Sequence, residues 1–440
     1  MATSTDGAMC ENQMEQKDDL EEYCEIEASI VAGFEPLAEE EIMEKLGVTS
    51  THERGRVNFR MKICDARKAL KLCSIDNLMV VMNHYRDFPF SKDCDTAIQQ
   101  IRDLVPGVDW KTGLKVWKQF DDFPHPVLPV AYPANLPKEN PTEEDKKTLL
   151  PKFRATCYRS HGKHSFQSPQ AAAAFGGVIN DYFAWNVDLE NHNINAVLIV
   201  EGSNMYAAIE LTKTSLHKRH IVKFGYTTLR GTIAYNMLRM CKIKPGDVVC
   251  DPMCGSGVLP IEAAVNYPDA QHLCGDIYEF CAPSTKMNID AVNKKRKLEN
   301  QGMIPLDAFT WDASNLPLPD KSVDVFVTDL PFGKRSGSKM RNWVLYPKVL
   351  KELARVSRPI TGRACFLTQD TRCFLKTLHN LPGLWKRTRT IGISIGGLAA
   401  SVYVLHRTTL AHDDPSVKPP PAKKSRNDET LEAKEAESTS

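Results

Sequence analysis

The segment with the sharpest chemistry is Asp329-Leu330-Pro331-Phe332, which closes the run Ser322-Val-Asp-Val-Phe-Val-Thr328. Such a run of β-branched and aromatic residues reads as a strand. A carboxylate at the strand's end, beside main-chain carbonyls, suits an aryl amine. The lone pair of that amine is delocalised into its ring, so it is a poor nucleophile. If Asp329 and the Leu330/Pro331 backbone accept its two N–H bonds, electron density returns to nitrogen. The positive charge that develops as a methyl group arrives is stabilised too. Pro331 fixes the backbone so that a carbonyl can point inward, and Phe332 offers a face on which a base can stack. Holding nitrogen in line with the methyl at about 3 Å would supply much of the remaining acceleration. A strand that ends in a plain proline turn is the bland alternative. Lys334, Arg335, Lys339 and Arg341 come next and suit phosphates flanking a base; a charged loop is their alternative.

A second group lies upstream. Asp247-Val-Val-Cys250 reads as a short buried strand, followed by Asp251-Pro-Met-Cys-Gly-Ser-Gly257 and then a helix-like Val258–Ala264. Gly255 and Gly257 permit a tight turn and close approach of backbone to a ligand. The spacing lacks the third glycine of a dinucleotide fingerprint and the Lys-Ser/Thr of a phosphate-binding P-loop. A carboxylate where a phosphate cradle would be expected suits a cationic ligand. S-adenosylmethionine fits, with its ammonium, its sulfonium and no phosphate. Asp276, which ends the strand-like His272-Leu-Cys-Gly-Asp276, lies 19 residues past Gly257. That is the separation at which an acidic residue meets a ribose hydroxyl pair. Asp312, in Thr310-Trp-Asp-Ala-Ser314, suits the adenine amine or, equally, a surface cap.

These residues need a scaffold of alternating strands and helices, and the sequence supplies one from about Phe224 to Arg407. That alternation implies a mostly parallel sheet with helices on both faces. Ile391–Ile395 and Ser401–Leu405 form a plausible antiparallel hairpin across Gly396 and Gly397 at its edge. Upstream, Glu27–Ala32, Arg56–Arg60 and Asn77–Met82 read as strands, with helices over Pro36–Leu46 and Cys94–Leu104, so a small α+β unit is expected over 24–120. Residues 121–150 carry six prolines and no apolar period, and are expected to be a linker or an exposed insertion. A second unit over 151–222 has a long helix expected to start with Ser168 as N-cap and Pro169 in its first turn. This unit ends in a basic cluster, Lys213, His217, Lys218, Arg219, His220 and Lys223. Such a cluster suits a phosphate backbone or a solvated turn. The catalytic unit is expected over 223–410, with tails at 1–23 and 411–440. Lys423–Arg426 in the last tail fits a nuclear import signal or a solvated stretch.

Bulk composition narrows the class. The chain has 440 residues, 42% hydrophobic and 25% charged, with a net charge of +1. That is ordinary for a globular protein and gives no overall basic bias. No apolar run is long enough for a membrane helix, and Met1–Leu20 has no secretory pattern. Thirteen cysteines without a Cys-x-x-Cys pair argue for reduced thiols in a reducing compartment and against zinc fingers. No metal site is expected.

Together the quoted residues resemble the THUMP-domain-containing tRNA guanine-N2-methyltransferases, above all their eukaryotic members, over residues 25–410. Gly33-Phe-Glu35 with Glu39–Glu41 and Leu46-Gly47 is similar to the opening of an N-terminal ferredoxin-like domain. Gly162-Lys-His-Ser-Phe166, Phe175-Gly-Gly177 and Leu216-His-Lys-Arg219 are similar to a THUMP domain. Phe224–Arg230 is similar to the lead-in to the methyltransferase domain. The resemblance implies an α/β protein with a ferredoxin-like α+β domain and a THUMP domain before a Rossmann-like class I methyltransferase domain. It implies S-adenosylmethionine as cofactor, held by Asp251, Met253, Gly255, Gly257, Asp276, Asp312 and Arg230. It implies RNA contacts from Lys163, His164, His217, Lys218, Arg219, Lys334 and Arg335, a grip on the tRNA 3′ end, and a target guanine in the acceptor stem. A small zinc-binding activator subunit as heterodimer partner and a cytoplasmic location are implied as well. In one departure, the proline that usually follows the first residue of the amine-binding motif is Leu330 here. Three alternatives stay open at this level: methylation of adenine N6, methylation of a protein glutamine amide, and an RNA-binding protein without catalysis.

Overall fold

The computed structural model describes residues 22–136, 142–225, 227–333, 338–415 and 417. Lys334, Arg335, the Lys423–Arg426 cluster and most of the two expected tails lie outside the described residues.

The first part of the chain builds β1 (Tyr23–Ser29), α1 (Glu35–Leu46), β2 (Ser50–Glu53), β3 (Arg56–Lys62), β4 (Asn77–Tyr85), α2 (Cys94–Leu104) and α3 (Trp110–Trp117). Pro36 sits in the first turn of α1, and Gly47 ends it in the left-handed region at φ 68°, a conformation that favours glycine. Next come α4 (Glu143–Leu149), β5 (Lys152–Ser160), α5 (Ser168–Phe183), β6 (Asn186–Val187), β7 (Ile194–Glu201) and β8 (Asn204–Glu210). All eight strands share one sheet in the order β2-β3-β1-β4-β8-β7-β5-β6. The two upstream units are therefore continuous through the antiparallel β4–β8 pair, which runs from Met79 opposite Glu210 to Tyr85 opposite Met205. Beneath the sheet Trp110, Phe175, Phe183 and Trp185 pack ring against ring.

Two local expectations change. Ser168 is the first helical residue of α5, not its cap. Gln167 caps the helix and exchanges hydrogen bonds with Gln170, because the longer amide reaches the exposed N–H groups. The proline-rich 121–150 segment is expected to lie exposed, yet it buries Leu136 and Leu150 and carries α4 behind a Thr142/Asp145 capping box. Backbone contact fixes it to α5: Tyr132 N–H donates to the Tyr182 carbonyl (2.8 Å) and Asn135 Nδ2 to the Phe183 carbonyl (2.7 Å).

The C-terminal part comprises α6 (Gly231–Met240), β9 (Val248–Asp251), α7 (Val258–Asn266), β10 (Gln271–Asp276), α8 (Cys281–Leu298), β11 (Ala308–Thr310), β12 (Val325–Asp329), α9 (Lys339–Val356), β13 (Arg363–Thr368), α10 (Thr371–Asn380), β14 (Trp385–Ile395) and β15 (Leu398–Arg407). Its sheet order is β11-β10-β9-β12-β13-β15-β14. The first five strands are parallel, and the expected hairpin β14–β15 closes the edge antiparallel. Side chains of a strand alternate between faces, and the core divides accordingly. Val249, Val325, Val327, Cys365 and Leu367 pack with α6, α7 and α8. Cys250, Phe326, Ala364 and Phe366 pack with α9 and α10. Covered on both sides, β9 and β12 cannot shift without breaking two cores, and they end at the residues singled out above.

Buried ion pairs join the two halves. Asp76, just before β4, accepts from Arg230 Nη1 (2.9 Å) and Thr232 Oγ1 (2.6 Å) at the start of α6. Glu262 of α7 is fully buried, accepts from Arg219 Nη2 (3.1 Å) and lies 2.9 Å from His220 Nδ1. Burial opposes its ionisation, but Arg219 and His220 outweigh it and hold the carboxyl down at about 2. Glu262→Ala would leave the Arg219 guanidinium buried without a counter-charge. We expect a loss of about 3–5 kcal/mol in urea unfolding at pH 7; an unfolding curve that matches wild type would contradict this role.

Candidate active site

Because β9 lies between β10 and β12, Asp251, Asp276 and Asp329 come together at the carboxyl ends of three adjacent parallel strands. This is the end of an open α/β sheet at which ligands bind. Each carboxylate is held differently. Asp251 is buried (4% exposed), and its Oδ1 accepts from Met253 N–H (3.2 Å). Asp276 accepts from Gly255 N–H (3.0 Å) through Oδ2 and from Tyr278 N–H (3.1 Å) through Oδ1. Asp329 Oδ1 is buried and has no hydrogen-bond partner. Burial, with Asp251 as neighbouring charge, pushes the Asp329 carboxyl well above the usual carboxylate range. Burial also raises Asp251 to about 7, and Asp276 adds to it. Three acids crowded in a desolvated recess leave unsatisfied negative potential, which a cationic ligand would relieve.

The loop between β9 and α7 is shaped for close approach. Gly257 has φ 83°, and a Cβ there would meet Thr285 at 2.5 Å. Gly255 has φ 54° with open space beside it, and its carbonyl accepts from Thr285 Oγ1 (3.1 Å). Met253 is half-buried in the same loop. Trp311 Nε1 donates to the Pro252 carbonyl (3.1 Å), which ties the loop to the segment after β11. Asp312 is exposed, and its Oδ1 accepts from Ser314 N–H (2.8 Å).

At the end of β12, the structure separates the two carbonyls that the sequence leaves as alternatives. The Pro331 carbonyl is occupied: it accepts from Tyr346 Oη (2.7 Å) and Asn342 Nδ2 (3.0 Å), both buried on α9. Asn342 also donates to Asp370 Oδ2 (3.1 Å), and Tyr346 pairs with Thr368 Oγ1 (2.9 Å). The Leu330 N–H is tied to the Leu367 carbonyl (2.9 Å). No hydrogen bond to the Leu330 carbonyl is seen among the described residues. Phe332 is half-buried. Gly333, at φ 72°, has no room for a Cβ against Lys339 N at 2.7 Å. Asn342 and Tyr346 escaped sequence reading because nothing local ties side chains 11 and 15 residues downstream to Pro331. The one available signal was an asparagine spaced four residues from a tyrosine on the inner face of α9.

The basic residues divide. Lys163 and Lys218 are exposed. His164 is used within the fold, with Nε2 2.7 Å from the Gly202 carbonyl and its ring against Phe90 and Phe166. Burial holds the His217 imidazole below its ordinary range, so it is neutral at pH 7, and its Nδ1 lies 2.7 Å from Ser215 Oγ. Arg219 and Arg230 pair with Glu262 and Asp76. Expected as a phosphate contact and a cofactor contact, each meets a carboxylate on a neighbouring element and so links the two halves of the chain. Among the described residues no His, Cys, Asp or Glu group could hold a metal ion.

Comparison with known proteins gives the following. A family model described as UPF0020: RMKL-like, methyltransferase domain, matches residues 218–400. The human tRNA (guanine(6)-N(2))-methyltransferase THUMP3 is 36% identical, in an alignment covering 89% of this chain and 90% of the human protein. The tRNA (guanine(6)-N2)-methyltransferase of Thermus thermophilus is 27% identical over 57% of this chain and 71% of its own length. Among solved structures, TrmN from Thermus thermophilus shares the fold with a TM-score of 0.68 at 21% identity, covering 87% of this chain and 99% of that one. SMU.472, a putative methyltransferase complexed with SAH, gives 0.64 at 17% identity, covering 88% and 99%.

The recess makes a pH-dependent prediction. Asp251 ionises from about pH 4 in the unfolded chain but only near pH 7 in the folded one. Folding is therefore penalised increasingly between those values, and fully above pH 7. Asp251→Asn should raise the melting temperature of the ligand-free protein at pH 8 and change it little at pH 4, as read by calorimetry. A lower melting temperature at pH 8 would overturn the assignment.

Proposed function

The chain belongs to the tRNA (guanine(6)-N(2))-methyltransferases of the THUMP3 type, and from that premise we propose that Asp329 Oδ1 and the Leu330 carbonyl receive the two N–H bonds of the guanine amine. The enzyme methylates N2 of guanine at position 6 in the tRNA acceptor stem and uses S-adenosylmethionine. The orphaned Asp329 Oδ1 carries the reading. A buried acceptor without a donor costs free energy, and an exocyclic amine is a donor that would satisfy it. When bound, the cofactor supplies an electrophilic methyl on a sulfonium.

The chain's own residues do the rest. Asp251, Asp276 and Asp312, with the Met253, Gly255 and Gly257 loop, would hold the cofactor's cationic and hydroxyl groups. The acids crowded in the recess fit such a ligand better than they fit a phosphate. Relief of their repulsion by a cation would leave Asp329 ionised and able to accept. Phe332 would stack on the base. Tyr346 and Asn342 keep the Pro331 carbonyl turned toward α9, which fixes the peptide planes on either side. The proton shed by the product amine has Asp329 Oδ1 as its acceptor.

In the first sheet, the reading assigns a ferredoxin-like unit and a THUMP unit, with Lys163 and Lys218 exposed for RNA. Lys334 and Arg335 would add phosphate contacts. The twelve cysteines among the described residues are free, which supports a reducing, cytoplasmic setting, and no helix among the described residues is long and apolar enough to cross a membrane.

We expect labelled S-adenosylmethionine and an unmodified tRNA transcript to yield N2-methylguanosine. Asp329→Ala should lower the rate by at least about 100-fold while cofactor binding survives. Full activity in that variant would sink the assignment; N6-methyladenosine or labelled glutamine as product would redirect the substrate.

The small zinc-binding activator subunit belongs to the proposal as well. β11 is an edge strand, and Phe309 (49%), Met303 (73%) and Leu298 (79%) are exposed around it. An unpaired edge flanked by apolar side chains suits docking by strand addition. Phe309→Asp should abolish co-purification of such a subunit; unchanged co-purification would place the interface elsewhere.

A further inference from the structure

The guanine amine reacts along its lone pair, which stands perpendicular to the base plane. In a duplex, that direction is filled by stacked neighbours, so the base must leave the stack to reach a recessed acceptor. Asp329 Oδ1 is such an acceptor, buried at the end of β12. Something must then occupy the opened stack or hold the strand away from it.

The first turns of α9 have the features required. Met340 is 83% exposed, Trp343 43% and Val344 60%, and their i, i+3, i+4 spacing puts them on one face. Large apolar side chains concentrated on an exposed turn mark an interaction surface. The same turn is tied to the amine-binding motif, since Asn342, buried among these exposed neighbours, donates to the Pro331 carbonyl (3.0 Å). Its charge is positive only: Lys339 and Arg341 are exposed, and no acidic residue stands in the first turn. The helix N-terminus adds partial positive charge. An apolar face rimmed by cations, continuous with a base-binding site, is complementary to nucleic acid opened at one step.

Building on the tRNA reading, we propose that Trp343 and Met340 form a wedge that enters the acceptor stem beside the target guanine and takes over its stacking contacts, while Lys339 and Arg341 neutralise the flanking phosphates. The wedge acts on the opening of the stem, not on methyl transfer. A guanine that is already unpaired should not need it.

The test uses the full chain and two tRNA transcripts, one with the target guanine paired and one with a mismatch opposite it. Trp343→Ala should lower kcat/KM on the paired transcript by about 10- to 100-fold and leave the mismatched transcript within about threefold of wild type. Met340→Ala should show the same bias more weakly, and it keeps the test open if the tryptophan variant fails to fold. Equal loss on both transcripts, as expected of a face that docks a protein or supports the fold, would overturn the wedge, and so would undiminished activity on the paired one. If wild type methylates neither transcript, the tRNA reading itself fails, which is a different result from an unbiased variant.

Discussion

Asp251, Asp276 and Asp329 repel one another at the ends of three neighbouring strands, and much of the C-terminal architecture holds them there. Separate placement in water would be easier for each. The sheet prevents it: β9 and β12 are packed by α6 to α8 on one face and by α9 and α10 on the other. Asp276 is steadied by backbone donors from the glycine loop and from Tyr278, while Asp329 keeps an oxygen with no partner among the described residues. Burial and mutual repulsion of these acids destabilise the recess, and on the proposed reading a ligand with positive charge and N–H donors relieves it. Strain of this kind, stored at a site and supported by a rigid surround, is a recognised route to binding specificity.

The same economy of carbonyls sets the geometry of the amine. Two donors from α9 occupy the Pro331 carbonyl, which is why Leu330 is the proposed main-chain acceptor. α9 thus has two jobs on opposite faces. Its inner face holds the motif, and the exposed face of its first turns looks out where a substrate strand would pass. The upstream sheet is tied to this centre through Asp76 and Glu262, so the basic residues of 211–224 keep a fixed relation to the cofactor loop.

What was legible in the sequence was local. The glycine loop, the three acids and the Asp329–Phe332 tetrad are contiguous motifs, and the strands that carry them have strong β-branched patterns. The closing hairpin and α1 with its Gly47 stop were legible for the same reason. Partners distant in sequence were not legible. Arg219 and Arg230 carry the charge expected of ligand contacts, but charge alone does not reveal that Glu262 and Asp76 wait on other elements. His164 resembles a surface cation until Phe90 and the Gly202 carbonyl are brought beside it. The prolines of 121–150 mark irregular backbone correctly, yet irregular backbone can still be buried when α5 offers it donors and acceptors. Met340 and Trp343 were overshadowed by the cations around them.

On the proposed reading, a cation completes a recess of buried acids. Calorimetric titration with S-adenosylmethionine, in buffers of different ionisation enthalpy, tests it most directly. Net proton release is expected on binding at pH 6, from Asp251, which burial raises to about 7, and from Asp329, which burial raises well above the carboxylate range, with affinity rising toward pH 8 as Asp251 ionises in the free protein. Binding that is independent of pH and releases no proton at pH 6 would contradict it.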